Sequence, residues 1–368
     1  MKKFLALMIS VIVLVSLIGC ASSNQKGNNA TDNEQNTPVT GDQTGSDSGE
    51  AKLPSPTIKE GPIKIAYVPS VMNVYYDQVL SGMKEEVDKL GGNGVVEVLI
   101  HAPTSNETTV NEQINIMENL IPQGVDVIAI SAESDEPLTT LLKKAAEAGI
   151  VVFEFNMPTV DLTSEYYVSN IGYDQFEAGR LIGEWAVNHF GDKPTKTAIL
   201  EGFPGTLNTQ RLEGFLKGIE GHDNFDVAFS QTANWTRDDG QSVTENMLEA
   251  HPDIDFIAGL YDEMSLGAYN AVKAAGLQDK IVIAGYDNTE AGYDSIQKGE
   301  MAMTVDNGAK NIGSSIVISA YQYCKQGKEV ERVIDVGSIA LDKNNINEFD
   351  TDSYKYVKQE PVPNYLQD

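Results

Sequence analysis

Two kinds of segment alternate along the chain from Ile63 onward. Short apolar runs, many of them β-branched, predict strands: IKIAYV, VVEVLI, VDVIAIS, IVVFEFN, KTAILEG, DFIAGL and IVIAGY. Between them VYYDQVLSGMKEEVDKL, VNEQINIMENLI, EPLTTLLKKAAEAG, FEAGRLIGEWAVNHF and MSLGAYNAVKAAG set apolar residues at helical spacing. Strands that are apolar along their whole length are buried on both faces, as in parallel sheets covered by helices. The fold class is therefore α/β. The pattern runs twice, from about Ile63 to Asn156 and from about Thr197 to Tyr286. This predicts two doubly wound parallel-sheet lobes. Such sheets bind ligand at the carboxyl ends of their strands, and facing lobes would hold it in the cleft between them.

The residues before Ile63 break the pattern. MKKFLALMISVIVLVSLIGC opens with Lys2 and Lys3, runs apolar from Phe4 to Ile18 and ends at Cys20. The run is shorter than the ~20 apolar residues of a membrane span and suits a secretory signal, residues 1–19. Its end, Leu17-Ile18-Gly19-Cys20, resembles a bacterial lipobox, which implies cleavage before Cys20 and lipidation of its thiol. Residues 20–60 are rich in Asn, Thr, Ser, Gly and Gln and lack the apolar residues to bury a core. They read as a flexible tether of about 40 residues, with a root-mean-square span of about 35 Å. A lipid at one end and a folded body at the other place that body outside the cell, anchored to the membrane through Cys20.

Composition adds limits. A chain of 368 residues exceeds one typical core and suggests two domains. Hydrophobic content of 41% with 22% charged residues fits a soluble globular body. A net charge of -28 argues against nucleic-acid partners, because phosphate backbones are repelled. With Cys20 acylated, Cys324 has no partner for a disulfide. It sits at helical spacing in SSIVISAYQYCKQG and reads as a small buried residue rather than a nucleophile.

No enzyme signature is present. His101, His189, His222 and His251 are scattered, and no metal-ligand spacing, catalytic Cys pair, nucleophile elbow or phosphate loop occurs. GFPGT, from Gly202 to Thr206, reads as a tight strand-to-helix connection. No cofactor and no metal are expected. The predicted strand ends say more. They carry Asn73, Tyr75, Tyr76, Asn156, Arg211, Trp235, Tyr261, Asp262, Asp287 and Asn307. Aromatic rings pack on the C–H faces of a sugar, and Asp, Asn and Arg match its hydroxyls. A buried hydroxyl left unpaired costs ~1–3 kcal/mol, so a sugar site needs many polar groups.

These residues resemble a known family. YDEMSLGAYNAVKAAG, NIGYDQFEAGRLIGEW, RLEGFLKGIE, LEAHPDIDFIAG and IAGYDNTEAGYDSIQKGEMAMTVDN are similar to the sugar-binding solute receptors of ABC importers, in the type 1, ribose-binding group. The resemblance spans about Ile63 to Asp350. It implies that Asn73 supplies an amide, that Tyr75 and Tyr76 sandwich the sugar with Trp235, and that Arg211, Asp287 and Asn307 bind hydroxyls. Asn156 falls where an Asp is common. Met157 replaces an Arg and Tyr261 an Asn of the ribose receptors, so a sugar other than ribose is expected. The family also implies three hinge crossings near Asn170–Tyr173, Thr304–Asp306 and Val336–Ile339. The amino-terminal lobe is then 61–171 plus 306–336 and the carboxyl-terminal lobe 172–305 plus 337–368.

The function implied is a monomeric, lipid-anchored receptor that captures a sugar and passes it to a permease and an ATPase on separate chains. An alternative is a receptor that signals its closed state to a histidine kinase or chemoreceptor. A repressor effector domain would need a DNA-binding helix-turn-helix where the signal and tether stand. An extracellular glycosidase would convert an oligosaccharide rather than only bind it.

Overall fold

The computed structural model describes residues 53–105, 108–132, 135–156, 165–350 and 355–356. Cys20, the signal, most of the tether and Met157 lie outside them. The first lobe contains β1 (Ile63–Val68), α1 (Val74–Leu90), β2 (Val96–Ile100), α2 (Thr109–Gln123), β3 (Val127–Ile130), α3 (Asp135–Glu147), β4 (Val151–Phe155) and β5 (Ser169–Gly172). The second contains α4 (Gln175–Phe190), β6 (Thr195–Glu201), α5 (Thr206–Gly218), β7 (Phe225–Thr232), α6 (Arg237–Ala250), β8 (Phe256–Gly259), α7 (Asp262–Ala274), β9 (Val282–Ala284), α8 (Glu290–Lys298) and β10 (Met303–Asp306). The chain then returns to the first lobe with α9 (Ala309–Lys325) and β11 (Val333–Asp335), and to the second with β12 (Ile339–Asp342), after which a 3-10 turn (Ile346–Glu348) leads to a short pair of strands, β13 (Phe349–Asp350) and β14 (Lys355–Tyr356).

The two sheets have the same order. One runs β2-β1-β3-β4-β5-β11 and the other β7-β6-β8-β9-β10-β12. All pairs are parallel except the antiparallel β10–β12 edge. In each sheet the strand order reverses beside the first strand, the topological switch point where such sheets open a crevice. The chain passes between the sheets three times, after Gly172, after Asp306 and after Asp335. Gly172 pairs with Asp335 in the first sheet and Asp306 with Ile339 in the second. Gly172 and Asp306 therefore each lie one residue across the lobe boundary that the resemblance implies.

Local chemistry explains the elements that frame the crevice. Asn73 opens α1 with extended backbone, and its side-chain oxygen accepts from Tyr76 N at 3.1 Å. Gly91, in the left-handed region, ends the helix. Tyr75, Val79, Met83 and Val87 recur every fourth residue and form its buried stripe. In the second lobe α4 and α5 pack backbone to backbone. A Cβ on Gly179 would fall 2.2 Å from the Arg211 carbonyl oxygen, so only glycine allows α4 to lie this close to Arg211.

Leu53–Gly61 departs from the expected tether. Thr57 N donates to Tyr323 O and Lys59 N to Cys324 O, both at 2.8 Å. Lys59 pairs with Asp126, and Lys325 Nζ donates to Lys59 O at 2.8 Å. This segment is a strap across the carboxyl end of α9. Cys324 beneath it is buried, and burial pushes its thiol up to about 12.

Two buried carboxylates brace the second lobe. Asp262 Oδ1 accepts from Tyr286 N at 2.9 Å and Thr304 Oγ1 at 2.7 Å. Its Oδ2 accepts from Thr289 N at 2.7 Å and Thr289 Oγ1 at 3.2 Å. Asp306 accepts from Asn288 Nδ2 at 3.2 Å. Burial pushes Asp262 up to about 8 and Asp306 up to about 7, against hydrogen bonds that favour the ionised form.

Two predictions follow from this packing. The folded protein holds these two carboxyl protons more tightly than an unfolded chain with the ordinary value of 3.8. Their contribution is full below that value and is lost as pH rises through 7 to 8. Urea unfolding is expected to give lower stability at pH 8 than at pH 5.5. Asp306→Asn should narrow that difference, and an unchanged difference would refute the assignment. Separately, a body starting at Pro62 should melt a few degrees below one starting at Leu53. It lacks the strap's hydrogen bonds and ion pair, worth about 2 kcal/mol. Equal melting temperatures would mean that the strap only rests on α9.

Candidate functional site

The crevice lies between the carboxyl ends of the two sheets. From the first lobe, Asn73, Tyr75, Tyr76 and Asn156 line it. From the second come Arg211, Trp235, Tyr261 and Asp287. The structure thus brings together eight of the sequence-predicted residues. Asn307 is fully buried beside Asp287, to which its Nδ2 donates at 3.0 Å. It is not among the lining residues. Asp262 turns away from the crevice into the brace described above.

Arg211 is the centre of the floor. Its Nε donates to Gln175 Oε1 at 2.8 Å, Nη1 to Leu260 O at 2.8 Å, and Nη2 to Tyr173 Oη at 3.0 Å. Nη1 also lies 3.4 Å from Asp287 Oδ2. The guanidinium sits 3.9 Å from the Tyr286 ring centroid. Burial works against the Arg211 charge, yet Asp287 and the neighbouring tyrosines keep it protonated. Burial raises the Asp287 carboxyl, and Arg211 opposes that rise. The two charges offset each other, so the floor is close to neutral.

Gln175 joins the lobes. Its Nε2 donates to Asn156 Oδ1 at 3.0 Å, while Oε1 accepts from Arg211 and, at 3.1 Å, from Tyr286 Oη. Asn156 also accepts from Tyr75 Oη at 3.2 Å and donates to Tyr76 Oη at 3.3 Å. Gln175, Tyr173 and Tyr286 were not among the expected site residues. The first two lie in NIGYDQFEAG, where the chain crosses between lobes, and the crossing itself was the available signal. Burial keeps the hydroxyls of Tyr75, Tyr173 and Tyr261 protonated well above the usual tyrosine range.

The aromatic geometry differs from a simple sandwich. The Tyr75 and Tyr76 rings meet edge to face, 5.4 Å apart at 82°, so they cannot both lie flat on one sugar. Tyr76 Oη is held by Ser70 Oγ and Ser131 Oγ, both at 2.9 Å, which ties this ring into the first lobe. Trp235 meets Tyr261 edge to face at 6.3 Å. A Cβ on Gly202 would fall 1.8 Å from the indole, so the glycine in GFPGT is what seats Trp235. Asn156, Trp235 and Asp287 all have positive φ, at 55°, 58° and 93°. Non-glycine residues in this region concentrate where surrounding structure holds them for function.

Comparisons with known proteins agree with this fold. A model described as periplasmic binding protein domain matches residues 65–329. The ribose import binding protein of Haemophilus influenzae is 32% identical over 270 residues, 73% of this chain and 87% of the relative. The fructose import binding protein of Bifidobacterium longum is 28% identical over 353 residues, 94% of this chain and 96% of the relative. Among solved structures, an ABC transporter solute-binding protein of Actinobacillus succinogenes with bound D-allose has a TM-score of 0.71 at 26% identity. It covers 77% of this chain and 99% of its own. The chain belongs to the periplasmic binding proteins, in the type 1 family of these sugar receptors.

Proposed function

We propose that this protein captures an uncharged sugar in the crevice, outside the cell, and delivers it to the permease of an ABC importer. The observation that carries the reading is the floor. One buried cation faces one buried carboxylate, and amides, tyrosine hydroxyls and aromatic rings surround them. A charged ligand would meet no net opposite charge there. A neutral polyhydroxyl ligand meets both donors and acceptors, with rings for its C–H faces. Asp287 is the only carboxylate among the described lining residues, whereas glycoside hydrolysis ordinarily uses two. The receptor reading therefore needs no reaction step.

In this reading Arg211, Asp287 and Asn156 bind hydroxyls, Tyr75 and Trp235 pack on the ring, and Asn307 holds Asp287. Met157 joins them on the family pattern. Ligand bound to both lobes favours the closed form, which the permease reads. The signal at residues 1–19 directs export and is removed, and the acylated Cys20 keeps the monomeric receptor close to that permease.

Titration against D-ribose, D-allose, D-fructose, D-glucose and D-galactose tests the binding claim directly. Arg211→Ala should weaken the tightest sugar roughly 100-fold, the loss of one or two hydrogen bonds from a charged donor. It should also lower the melting temperature, because Asp287 would stay buried without its cation. Undiminished affinity in that variant would sink the site assignment. For the anchor, the natural chain should take up labelled palmitate and Cys20→Ser should not. Equal labelling of the two would rule out lipid attachment at that residue.

A further inference from the structure

The crevice is graded from floor to mouth. Its charged and amide groups, Arg211, Asp287 and Asn156, are at most 4% exposed. The half-buried lining residues nearer solvent are Val71, Phe203, Leu207 and Trp235, together with Asn73. Four of these five are apolar, and the Asn73 side-chain oxygen is already engaged in capping α1. The mouth therefore has an apolar lip, formed mainly by the Gly202–Leu207 turn with Val71 opposite on the other lobe.

This lip is built rather than loose. Gly202 N donates to Asn208 Oδ1 at 2.8 Å, and Thr232 Oγ1 donates to Gly202 O at 2.6 Å. Asn208 Nδ2 donates in turn to Glu201 Oε2 at 2.9 Å. Pro204 fixes its own φ within the turn. Trp235 seats on Gly202. Phe203 is thus held half-exposed at the crevice on a turn pinned at both sides, where covering it would recover ~25 cal/mol per Å² of apolar surface. A second observation points at the crevice itself: the Tyr261 hydroxyl is buried beside the backbone N–H of Tyr75, and its own O–H donor has no acceptor.

Resting on the sugar-receptor reading above, we infer that the ligand is a sugar carrying an apolar substituent, an alkyl or aryl glycoside. The hydroxylated ring lies on the floor, and the substituent leaves it towards Phe203, Leu207 and Val71. Tyr261 supplies one further donor to the ring. A free sugar would set a hydroxyl against this lip, where among the half-buried lining residues only Asn73 and the Trp235 indole N–H offer a polar group. An apolar substituent gains instead about 0.8 kcal/mol for each CH₂ it buries.

Isothermal titration of the full body with D-ribose, D-allose, D-fructose, D-glucose and D-galactose, each beside its methyl and phenyl glycosides in both anomers, tests this. For a sugar that binds, one phenyl glycoside anomer should bind at least tenfold tighter than the free sugar. In the double variant Phe203→Ala, Leu207→Ala that ratio should fall close to one. The lip could instead close directly on Val71 and exclude a substituent. In that case every free sugar that binds would bind as tightly as its glycosides or more tightly, which overturns the inference but leaves the sugar reading standing. A phenyl gain that persists in the double variant also overturns it, because the gain would arise elsewhere. Binding of neither free sugars nor glycosides would bring down both readings together.

Discussion

A guanidinium and a carboxylate, each about 95% buried, face each other at the base of the crevice, and much of the local architecture follows from the cost of keeping them there. Moving either charge from water into the interior costs several kcal/mol unless its donors and acceptors are met. Arg211 meets this demand with four hydrogen bonds, three of them to the neutral partners Gln175, Tyr173 and Leu260 O. Asp287 meets it with Asn307, Tyr173 and Arg211. Satisfying the pair therefore conscripts a helix start, a hinge residue, a strand end and a second crossing. Gly179 belongs to the same constraint, because α4 has to approach the backbone of Arg211 for Gln175 and Tyr173 to reach it.

The same network couples site and hinge. Tyr173 and Asn307 stand at the first two crossings between the sheets, and both touch Asp287. Gln175 begins the helix after the first crossing and reaches back to Asn156 in the first lobe. The groups that would bind a ligand are thus the groups that fix how the lobes meet. Anything that draws Arg211 or Asn156 towards itself shifts the contacts that hold the lobes together. This gives ligand binding a direct mechanical link to closure without a separate relay.

The sequence reveals the elements with a continuous apolar run or a clear apolar stripe and hides those at the sheet edges and crossings, for clear physical reasons. VYYDQVLSGMKEEVDKL corresponds to α1 residue for residue, because its apolar stripe, asparagine cap and terminal glycine all agree. The continuous apolar runs identify the central strands, because burial on both faces removes polar residues from them. β5 is SNIG and β11 is VID. Strands this short carry no hydrophobic period, and they exist because the crossing chain can pair with a neighbour. At the site, strand-end position was enough to nominate Arg211, Asp287 and the aromatic residues. Orientation was not legible. Asp262 sits one residue from Tyr261 at the same strand end, yet its carboxylate faces four donors inside the lobe. Gln175 gave no sign of its role beyond its place beside the crossing, because a buried amide between two lobes has no local pattern of its own.

The neutrality of the floor also sets what the site can discriminate. A lone buried Arg would attract carboxylates and phosphates, and a lone Asp would attract amines. Paired, their fields largely cancel beyond a few ångströms, and hydrogen-bond geometry, ring contact and apolar contact at the lip remain to distinguish ligands. Hydrogen-bond geometry is exacting at the floor, where each group already has a fixed partner and can accept a hydroxyl from few directions. Ring contact is exacting at Trp235, which is held in a left-handed backbone conformation and seated on Gly202. Because Tyr75 and Tyr76 are set edge to face, only one of them can complete a flat sandwich with a second ring. In the proposed receptor, selection among sugars would therefore fall to which hydroxyls point down at the floor and which face of the ring is free of them.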